Sequence, residues 1–516
     1  MTDSPAAPDP DLVAALKDGD PDKVARLIAA GADVRYRDAN GYDAFIDAVH
    51  GRDVGRDARL LKLMKLLLDS GADVNGVTRY RESVLRVLSR IGRFDAIKFL
   101  LDAGAKPDGL QWSPLIEAVA LGSPGDVDAR IDAGASLEEV DWWERTAWLV
   151  ALLLGDMTKA TRLLAAGANA NARGRCQAPA LFYAIDGHHP DVVRWLLEIG
   201  QDVEGTDEFG TTPLMHAVGH DDLACVDVLL AGGAAISGGA DDETALRRTR
   251  SRAIAIRLLD AGADPQALPQ EARRALLGYP AEADPGLLTA SAEDFQRGRT
   301  RRFGATNPER IDEPFWEGMI RSGISGYQAA ERLDPADRRA DRKPIWCAQR
   351  FGQSLTRLPD GRIVQIAGEH EDHYDPDFCI YNDVFVHGPD GSIAVYGYPE
   401  AAFPPTDFHT ATLMGDHIYI VGSLGYHGTR RFGETPIYRL DLQTLRMERL
   451  AASGDAPGWI FRHRAATISS REIHVSGGTI ARLVDGQETH ATNKDDYVLD
   501  VEDSKWLRLA NPRERL

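Results

Sequence analysis

Histidine and carboxylate side chains are concentrated in one short segment, which runs from Gly368 to Asp377. It holds two histidines three positions apart, His370 and His373, and five carboxylates, among them Glu369 and Asp377. Imidazole and carboxylate groups bind divalent metals, so a metal site is one interpretation. The other, which we favour, is a polar loop that is solvated or pairs with arginines, because the spacing matches no EF-hand loop. We therefore expect no metal and no cofactor, and these four residues are the candidates if a metal does bind.

Motifs that mark common enzyme families are missing from the sequence. It contains no GxSxG nucleophile elbow, no P-loop, no GxGxxG after a strand and no HExxH pair. The sequence therefore favours a protein that is not an enzyme, although it does not settle the question.

The composition limits the classes of partner. The chain has 516 residues, 43% of them hydrophobic, and a formal net charge of -20. Such an acidic surface repels nucleic acid and anionic membranes, so we expect neither as a partner. The four cysteines form no CxxC pair and predict neither a disulfide framework nor a zinc knuckle. Because the chain starts without a basic and apolar leader and has no apolar run of roughly 18 residues, we expect a cytoplasmic protein.

A glycine-led tetrapeptide recurs through the first half of the chain. It reads Gly-Ala-Asp-Val at Gly31 and Gly71, and from Gly71 onward related copies follow in steps of 29 to 33 residues. The segment from Thr212 to Ala217, TPLMHA, resembles the TPLHxA helix start of ankyrin repeats, whose period is about 33 residues. The first half is therefore similar to the ankyrin-repeat family. Within that resemblance His216 matches the framework histidine, which implies a structural hydrogen bond.

The resemblance implies both a fold and a mode of binding. Helix pairs that cannot bury their apolar faces alone stack into a solenoid, and we expect an α-solenoid of seven or eight repeats over residues 11–275, after a disordered tail at 1–10. Members of the family bind other proteins with the tips of their β-turn fingers and with the inner helix face. Counting back from the helix starts places the tips at Ala39-Asn40, Arg79-Tyr80, Gly109-Leu110, Trp142-Trp143, Arg175-Cys176, Glu208-Phe209 and Ala240-Asp241.

Aromatic and arginine side chains are concentrated in the middle of this row of tips. These residue types dominate the energetics of protein interfaces. Alternatively, the aromatics pack finger against finger, although adjacent residues in a turn, such as Trp142 and Trp143, rarely both point inward. The predicted partner-binding residues are Tyr80, Trp112, Trp142, Trp143, Arg175 and Phe209.

The pattern changes twice after the repeats. Residues 276–345 read as an arginine-rich, partly helical connector with no strand pattern, and its arginines between Arg297 and Arg302 are expected to bridge acidic surfaces of this same chain. From residue 346 to 516 the pattern is typical of strands. Three segments can be superposed there, and their glycines Gly368, Gly422 and Gly477 are 54 and 55 residues apart.

A period near 50 residues, with an apolar second strand ending in glycine, is similar to that of kelch blades. The resemblance implies a kelch-like β-propeller or partial propeller with about three detectable blades. His409 and His463 take one repeated position in it, so a framework hydrogen bond explains them better than catalysis does.

Three blades are too few for a typical closed propeller. Three alternatives are consistent with this number. The ring is closed by a divergent segment, the array of blades is open, or two chains complete one ring as a homo-oligomer. In the open case the connector or the repeats must cover the exposed edges. The function predicted from the whole chain is a non-catalytic scaffold that binds a protein partner. The alternative is a propeller enzyme or carbohydrate-binding protein whose ankyrin array serves for targeting.

Overall fold

The chain folds into two compact units. A computed structural model describes residues 8–51, 54–55, 57–236, 244–335, 344–372 and 375–509, without the side chains of 266 and 372–377. The first unit comprises residues 1–249 and 260–262, and the second comprises 250–259 and 263–516. Most of the predicted tail and the predicted finger tip at Ala240-Asp241 lie outside the described residues. No helix in the described part of the chain is long and apolar enough to cross a membrane.

The first unit is built from short helices that follow one another in pairs. Its described residues hold seven pairs and one further helix, α15. These helices are α1 (Pro10–Lys17), α2 (Pro21–Ala29), α3 (Ala44–Val49), α4 (Leu60–Asp69), α5 (Val84–Arg90), α6 (Phe94–Asp102), α7 (Pro114–Leu121), α8 (Pro124–Asp132), α9 (Ala147–Leu154), α10 (Met157–Ala165), α11 (Ala180–Asp186), α12 (Pro190–Glu198), α13 (Pro213–Gly219), α14 (Leu223–Ala231) and α15 (Ala245–Arg248).

The same residue types start and end these pairs. A Ser, Thr or Asp side chain accepts a backbone N–H at the start of six first helices, as Thr212 does for α13 and Ser113 for α7. Such caps satisfy N–H groups that have no partner inside the helix. After each second helix of the unit, the repeated glycine has a positive φ, for example 107° at Gly31 and 99° at Gly167, a conformation that costs glycine little.

A charged pair is buried in the middle of the first unit. Arg145 and Asp141 are both 0% exposed at their side chains, and Nη2 of Arg145 lies 2.5 Å from the Asp141 carboxylate. Arg145 also donates to the carbonyl and the hydroxyl of Ser89, at 2.8 and 2.6 Å, in helix α5. The pair therefore ties α9 to the preceding helices, which the consensus pattern of the repeats did not predict.

The second unit begins with helices and continues as strands. Its helices are α16 (Arg252–Asp260), α17 (Gln270–Leu276), α18 (Ala292–Gly298), α19 (Pro314–Ser322) and α20 (Gly326–Leu333). Its strands are β1 (Glu309–Ile311), β2 (Ser354–Arg357), β3 (Ile363–Ile366), β4 (Glu369–Asp372), β5 (Asp375–Ile380), β6 (Val384–His387), β7 (Ile393–Gly397), β8 (Thr410–Met414), β9 (His417–Val421), β10 (Ile437–Asp441), β11 (Met447–Arg449), β12 (Ser453–Gly454), β13 (Trp459–Phe461), β14 (Arg464–Thr467), β15 (Glu472–Ser476), β16 (Thr479–Val484), β17 (Gln487–Thr492), β18 (Tyr497–Asp500) and β19 (Lys505–Arg508).

Three four-stranded antiparallel meanders make up most of this unit. They are β2-β3-β6-β7, β8-β9-β10-β11 and β14-β15-β18-β19. In each, the second and third strands are separated by an insertion after the repeated glycine: the hairpin β4-β5, a loop at 422–436, and the hairpin β16-β17. The region is thus strand-rich with several sheets, and among the described strands none of these sheets closes on itself.

The connector contributes a strand, which its sequence did not predict. β1 pairs antiparallel with β7 and extends the first meander to five strands. The helices α18, α19 and α20 share a core with that sheet, in which Trp316 of α19 stacks on Trp346 at 4.5 Å between ring centroids. The connector arginines make contacts within the unit, as predicted, and Arg297 pairs with Glu313 at 3.0 Å.

A second buried charged pair lies in this core. Arg350 and Asp383 form an ion pair with side-chain exposures of 0% and 4%. The Arg350 guanidinium lies 3.5 Å from the ring centroid of Tyr381 and close to the rings of Trp346 and Phe385. Trp346 Nε1 donates to the same aspartate at 3.0 Å, so the pair joins the segment before β2 to the start of β6.

Candidate protein-binding surface

The fingers of the first unit are held by hydrogen bonds from their own aspartates. Oδ1 of Asp141 accepts the backbone N–H groups of Trp143 and Arg145, both at 2.9 Å. Asp38 and Asp207 do the same in their fingers. These turns present the two residues that follow the aspartate, because the side chain fixes the backbone around them. In these three fingers the turn therefore follows the aspartate from which the sequence count started.

Backbone hydrogen bonds also join neighbouring fingers. The N–H of Trp142 donates to Leu110 O at 3.3 Å, and that of Glu208 donates to Cys176 O at 2.9 Å. Arg79 N–H makes the equivalent bond to Asn40 O at 2.9 Å. These bonds thus join the fingers two by two, so that they are not independent loops.

Tryptophans and arginines meet at the centre of this row. The rings of Trp142 and Trp143 are 4.8 Å apart at their centroids. Arg175, from the next finger, lies 4.5 Å from the Trp143 ring centroid, and Arg90 lies 5.5 Å from it. Arg86 lies 4.9 Å from the ring of Trp142. Such cation–π contacts fix the orientation of both groups. We call Arg86, Arg90, Trp142, Trp143 and Arg175 the Trp–Arg cluster.

The predicted residues differ in how far they are exposed. Tyr80 and Phe209 are 58% and 69% exposed, so packing in a core does not explain why these positions hold large aromatic side chains. Trp112, Trp142 and Trp143 are half-buried. The indole nitrogens of Trp112 and Trp142 are buried and have no hydrogen-bond partner within the described residues. Outside their own fingers, Trp112 lies 6.1 Å from Phe94 of α6 between ring centroids, and Trp142 lies under Arg86 of α5. The predicted binding role stays a prediction.

Exposed arginines lie beside the Trp–Arg cluster, although the chain as a whole is acidic. Arg79, Arg81 and Arg175 are exposed, and none forms an ion pair within the described residues. Arg90 is paired with Glu82 at 3.2 Å. Arg86 is half-buried and donates to the carbonyls of Gly109 and Arg81. Burial, and secondarily Arg81, lowers the pKa of Arg86. The row thus offers exposed aromatic rings beside unpaired guanidinium groups.

Sequence reasoning missed Arg86 and Arg90. Both lie on helix α5, outside the finger, and only the fold brings them to the tryptophans of a later repeat. Their spacing of four residues puts them on one helix face. That spacing could have indicated from the sequence that the two arginines act together, but it does not show which finger they contact.

A histidine–carboxylate group lies elsewhere in the first unit. Oδ1 of Asp186 lies 2.7 Å from Nε2 of His216 and 3.3 Å from Nε2 of His220. Burial alone would raise the pKa of Asp186, but the two histidines outweigh it, and the pKa is lowered. His216 also stacks on Phe182 at 4.1 Å. The structural hydrogen bond predicted for His216 is thus made to a carboxylate.

In the described part of the chain, Asp186, His216 and His220 form the group of side chains that could hold a metal ion. Their ligand atoms all lie within 4.8 Å of one another. Two imidazoles and a carboxylate suit a divalent transition metal with open positions. The hydrogen bonds described above account for the group without an ion.

The acidic segment with His370 is not a loop, as the sequence suggested, but the hairpin β4-β5. Burial first, and then Asp407 and Glu371, raises the pKa of Glu369 to about 7. His370 Nδ1 lies 3.0 Å from Gln349 O. His373 and the side chain of Asp377 lie outside the described residues, so the expectation that this segment holds no metal stays a prediction.

Comparison with known proteins identifies the class of the helical region. Residues 148–239 match the family model for ankyrin repeats, in three copies. The first unit is therefore an ankyrin-like helical region, which confirms the resemblance seen in the sequence, and ankyrin repeats are in general protein-interaction modules.

Several known proteins are similar to parts of the chain. The ankyrin repeat protein nuc-2 of Neurospora crassa is 27% identical over 172 residues, 32% of this chain and 16% of that protein. A putative ankyrin repeat protein, R664, of Acanthamoeba polyphaga mimivirus is 40% identical over 82 residues, 16% of this chain and 49% of that protein. An L-asparaginase of Dirofilaria immitis is 27% identical over 160 residues, 30% of this chain and 27% of the enzyme. The chain spans less than half the length of each of these relatives.

Proposed function

We propose that the protein is a scaffold that binds a partner protein through the row of finger tips in its ankyrin-like unit. The observation that carries this proposal is the Trp–Arg cluster with its exposed neighbours Tyr80 and Phe209. Aromatic and arginine side chains supply most of the energy at protein interfaces. Burial does not account for the exposed rings of Tyr80 and Phe209, which supports a role in binding.

The exposed arginines beside the cluster favour an acidic partner segment. Arg79, Arg81 and Arg175 would each gain a carboxylate partner on binding, and Arg forms strong, directional pairs with carboxylates. An aromatic or aliphatic side chain of the partner would pack between Tyr80 and the tryptophans. Electrostatic attraction of this kind mainly raises the association rate and selects among partners.

The proposal is tested by capturing partners from an extract with the full-length protein and quantifying them by mass spectrometry. A captured protein is then purified and its Kd measured for three variants: Tyr80→Ala, Phe209→Ala and Arg175→Glu. Each removes an exposed group, so the fold should be retained. Loss of an anchor should weaken binding by about tenfold or more, equivalent to at least about 1.4 kcal/mol.

Ile199→Ala is the matched control, since Ile199 is 44% exposed and lies at the end of α12, outside the finger tips. Binding should be unchanged in this variant. A captured protein that binds all four variants as tightly as the native chain would contradict the proposed surface.

We also propose that the three meanders of the second unit are kelch-like blades of a partial propeller. Two observations support this: the order of strands within each meander, and the contacts of the first strands β2, β8 and β14 with one another in chain order. The segment Pro265–Ala267 contacts β2, and Arg273 donates to Gln353 O at 3.2 Å. This segment, which lies just before the connector, thus covers this edge, and a second chain is not needed there. Light scattering should accordingly give the mass of a monomer, and a dimer would favour a ring completed by two chains.

A further inference from the structure

A cavity of about 510 Å³ lies within the second unit. It is lined by the residues that come just before or at the start of β2, β8 and β14, namely Gln353, His409 and Arg464 with their neighbours. Helix α17 contributes Arg273 to its wall. This volume is in the range of sites that hold small molecules.

The wall carries an excess of positive charge. Five arginines and a single acidic residue, Asp264, are among the residues that line the cavity. Arg350 is neutralised by Asp383, and Arg274 donates to the carbonyls of Pro280, Ile320 and Arg321.

The remaining charges include Arg462 and Arg464, which are exposed at the cavity wall. Within the described residues neither side chain makes a hydrogen bond or an ion pair, and Arg462 only lies over the ring of Phe408 at 4.3 Å. Glu369 acts on Arg462 electrostatically but is not paired with it. In a protein with a net charge of -20, two unpaired arginines at one cavity form a local site of opposite sign.

Buried polar groups at the same cavity also lack partners. Gln353, His409 and His463 are 3%, 4% and 6% exposed, and one nitrogen of each has no hydrogen bond within the described structure: Nε2 of the glutamine and Nδ1 of each histidine. A buried polar group without a partner is costly and calls for an explanation.

The other side-chain polar atoms of these residues are already engaged. His409 Nε2 lies 2.8 Å from Ser354 Oγ, and His463 Nε2 lies 3.0 Å from Thr410 Oγ1. If each hydroxyl donates to Nε2, the proton of the neutral imidazole is on Nδ1, and Nδ1–H becomes a donor. Gln353 Oε1 accepts from Gln365 Nε2 at 3.0 Å, which leaves its own amide N–H groups as donors. Arg462 and Arg464 are thus the donors exposed at the cavity wall, whereas these amide and imidazole nitrogens are buried.

We propose that this cavity binds a small organic anion, whose carboxylate or phosphate group is held by Arg462 and Arg464. Anionic oxygens are acceptors only and form strong bonds with guanidinium groups. Phe351, which is 63% exposed, and Phe408 also line the cavity, so the carbon skeleton of the ligand packs against aromatic rings. The site is independent of the finger surface, because all its residues belong to the second unit.

Three probes with a shared skeleton test the proposal on the full-length protein. Phenyl phosphate and phenylacetate carry the two kinds of anionic group, and 2-phenylethanol is the uncharged analogue. Calorimetric titration should show saturable binding of at least one anion and none of the alcohol. The anion that binds more tightly identifies phosphate or carboxylate as the preferred group.

Variants then locate the site. Arg462→Gln and Arg464→Gln should each raise the Kd of the bound anion by about tenfold, because each removes a charge-assisted hydrogen bond. Arg310→Gln is the matched control: this arginine lies on β1, is exposed and does not line the cavity, so Kd should not change. Melting curves confirm that each variant is folded.

Three results would overturn the proposal. They are binding of 2-phenylethanol as tightly as the anions, absence of saturable binding by either anion, and equal effects of the control and the cavity variants.

Discussion

The two units each bury an arginine against an aspartate, but they do so over different distances along the chain. In the ankyrin-like unit, Arg145 and Asp141 are four residues apart and reach one earlier helix through Ser89. In the strand-rich unit, Arg350 and Asp383 are 33 residues apart and are surrounded by aromatic rings. The first pair bonds to a helix two helix pairs earlier in the array, whereas the second joins segments that only the complete sheet brings together.

This difference follows from how each unit is stabilised. A solenoid is held by contacts within repeats and between adjacent repeats, so a defect should remain local. In a sheet core assembled from distant segments, a defect is not confined to residues that are near it in the sequence. The comparison therefore predicts that equivalent substitutions destabilise only nearby residues in the ankyrin-like unit and more distant residues in the strand-rich unit.

The largest effect is expected from removing the aspartate of each pair. Asp141→Ala and Asp383→Ala should each cost about 3–5 kcal/mol of stability, because each leaves a buried arginine without its counter-charge. Hydrogen exchange followed by mass spectrometry on the full chain should show lost protection near α5 and α9 in the first variant. In the second it should show loss across α19, β3, β6 and β7.

Lys65→Ala is the control for these changes. Lys65 pairs with Asp69 at 2.9 Å, but both side chains are more than half exposed, so this substitution should change stability by no more than about 0.5 kcal/mol. A loss of protection equally confined in both aspartate variants would contradict the difference between the units.

The strand-rich unit should also lose stability in mild acid. Burial lowers the pKa of His387, His409 and His463 to about 3. The charge of Arg321 adds to the lowering at His387, and His463 adds to it at His409. Between pH 6.5 and 3 the unfolded chain binds protons that these folded imidazoles do not. Stability therefore falls as pH drops below 6.5, by up to about 1.4 kcal/mol per pH unit for each histidine.

Urea unfolding at several pH values measures this slope. His463→Gln should reduce the slope, since glutamine can still bond to Thr410 but does not titrate. His427→Gln should leave it unchanged, because the His427 side chain is 84% exposed. An identical slope in the native chain and in His463→Gln would show that this histidine is not the cause.

Smaller effects on stability are expected at the exposed fingers. Tyr80→Ala and Phe209→Ala should change the free energy of unfolding by less than about 0.5 kcal/mol, because surface side chains without buried contacts contribute little. Urea unfolding of the two variants measures this. A loss above about 2 kcal/mol would mean that these rings stabilise the array and are not kept for binding.

No effect at all is expected from chelators. The purified protein should contain no stoichiometric zinc or iron, and its unfolding should not change with a chelator, because the hydrogen bonds of Asp186, His216 and His220 account for that group. Metal analysis is the measurement. One equivalent lost in His370→Ala would assign a metal to the β4-β5 hairpin, and one lost in His220→Ala would assign it to the ankyrin-like unit.

Periodic parts of both units could be predicted from the sequence, because local residue types decide them. Each repeated glycine, such as Gly31, adopts the positive φ that its position after a helix requires, and the strands of the three superposed segments form close to the predicted residues. The ankyrin-like class is confirmed, whereas the kelch likeness and the binding residues stay predictions.

What could not be predicted depends on distant residues meeting. Strand β1 is three residues long and is recognisable only by its partner β7. The acidic segment at Glu369 was expected to be a loop because its charges mask strand alternation. The cavity gathers residues between Asp264 and Arg464, and no local pattern indicates that they share one wall.

The short strand β1 has a practical consequence for dividing this chain. A fragment that begins near residue 346, where the sequence changes to a strand pattern, would lack β1 and would leave the edge of β7 unpaired. It would also lack the helices that pack against Trp346. Bare strand edges pair with other molecules and aggregate. An expression fragment of the strand-rich unit should therefore begin before Pro265, so that it carries its own edge protection.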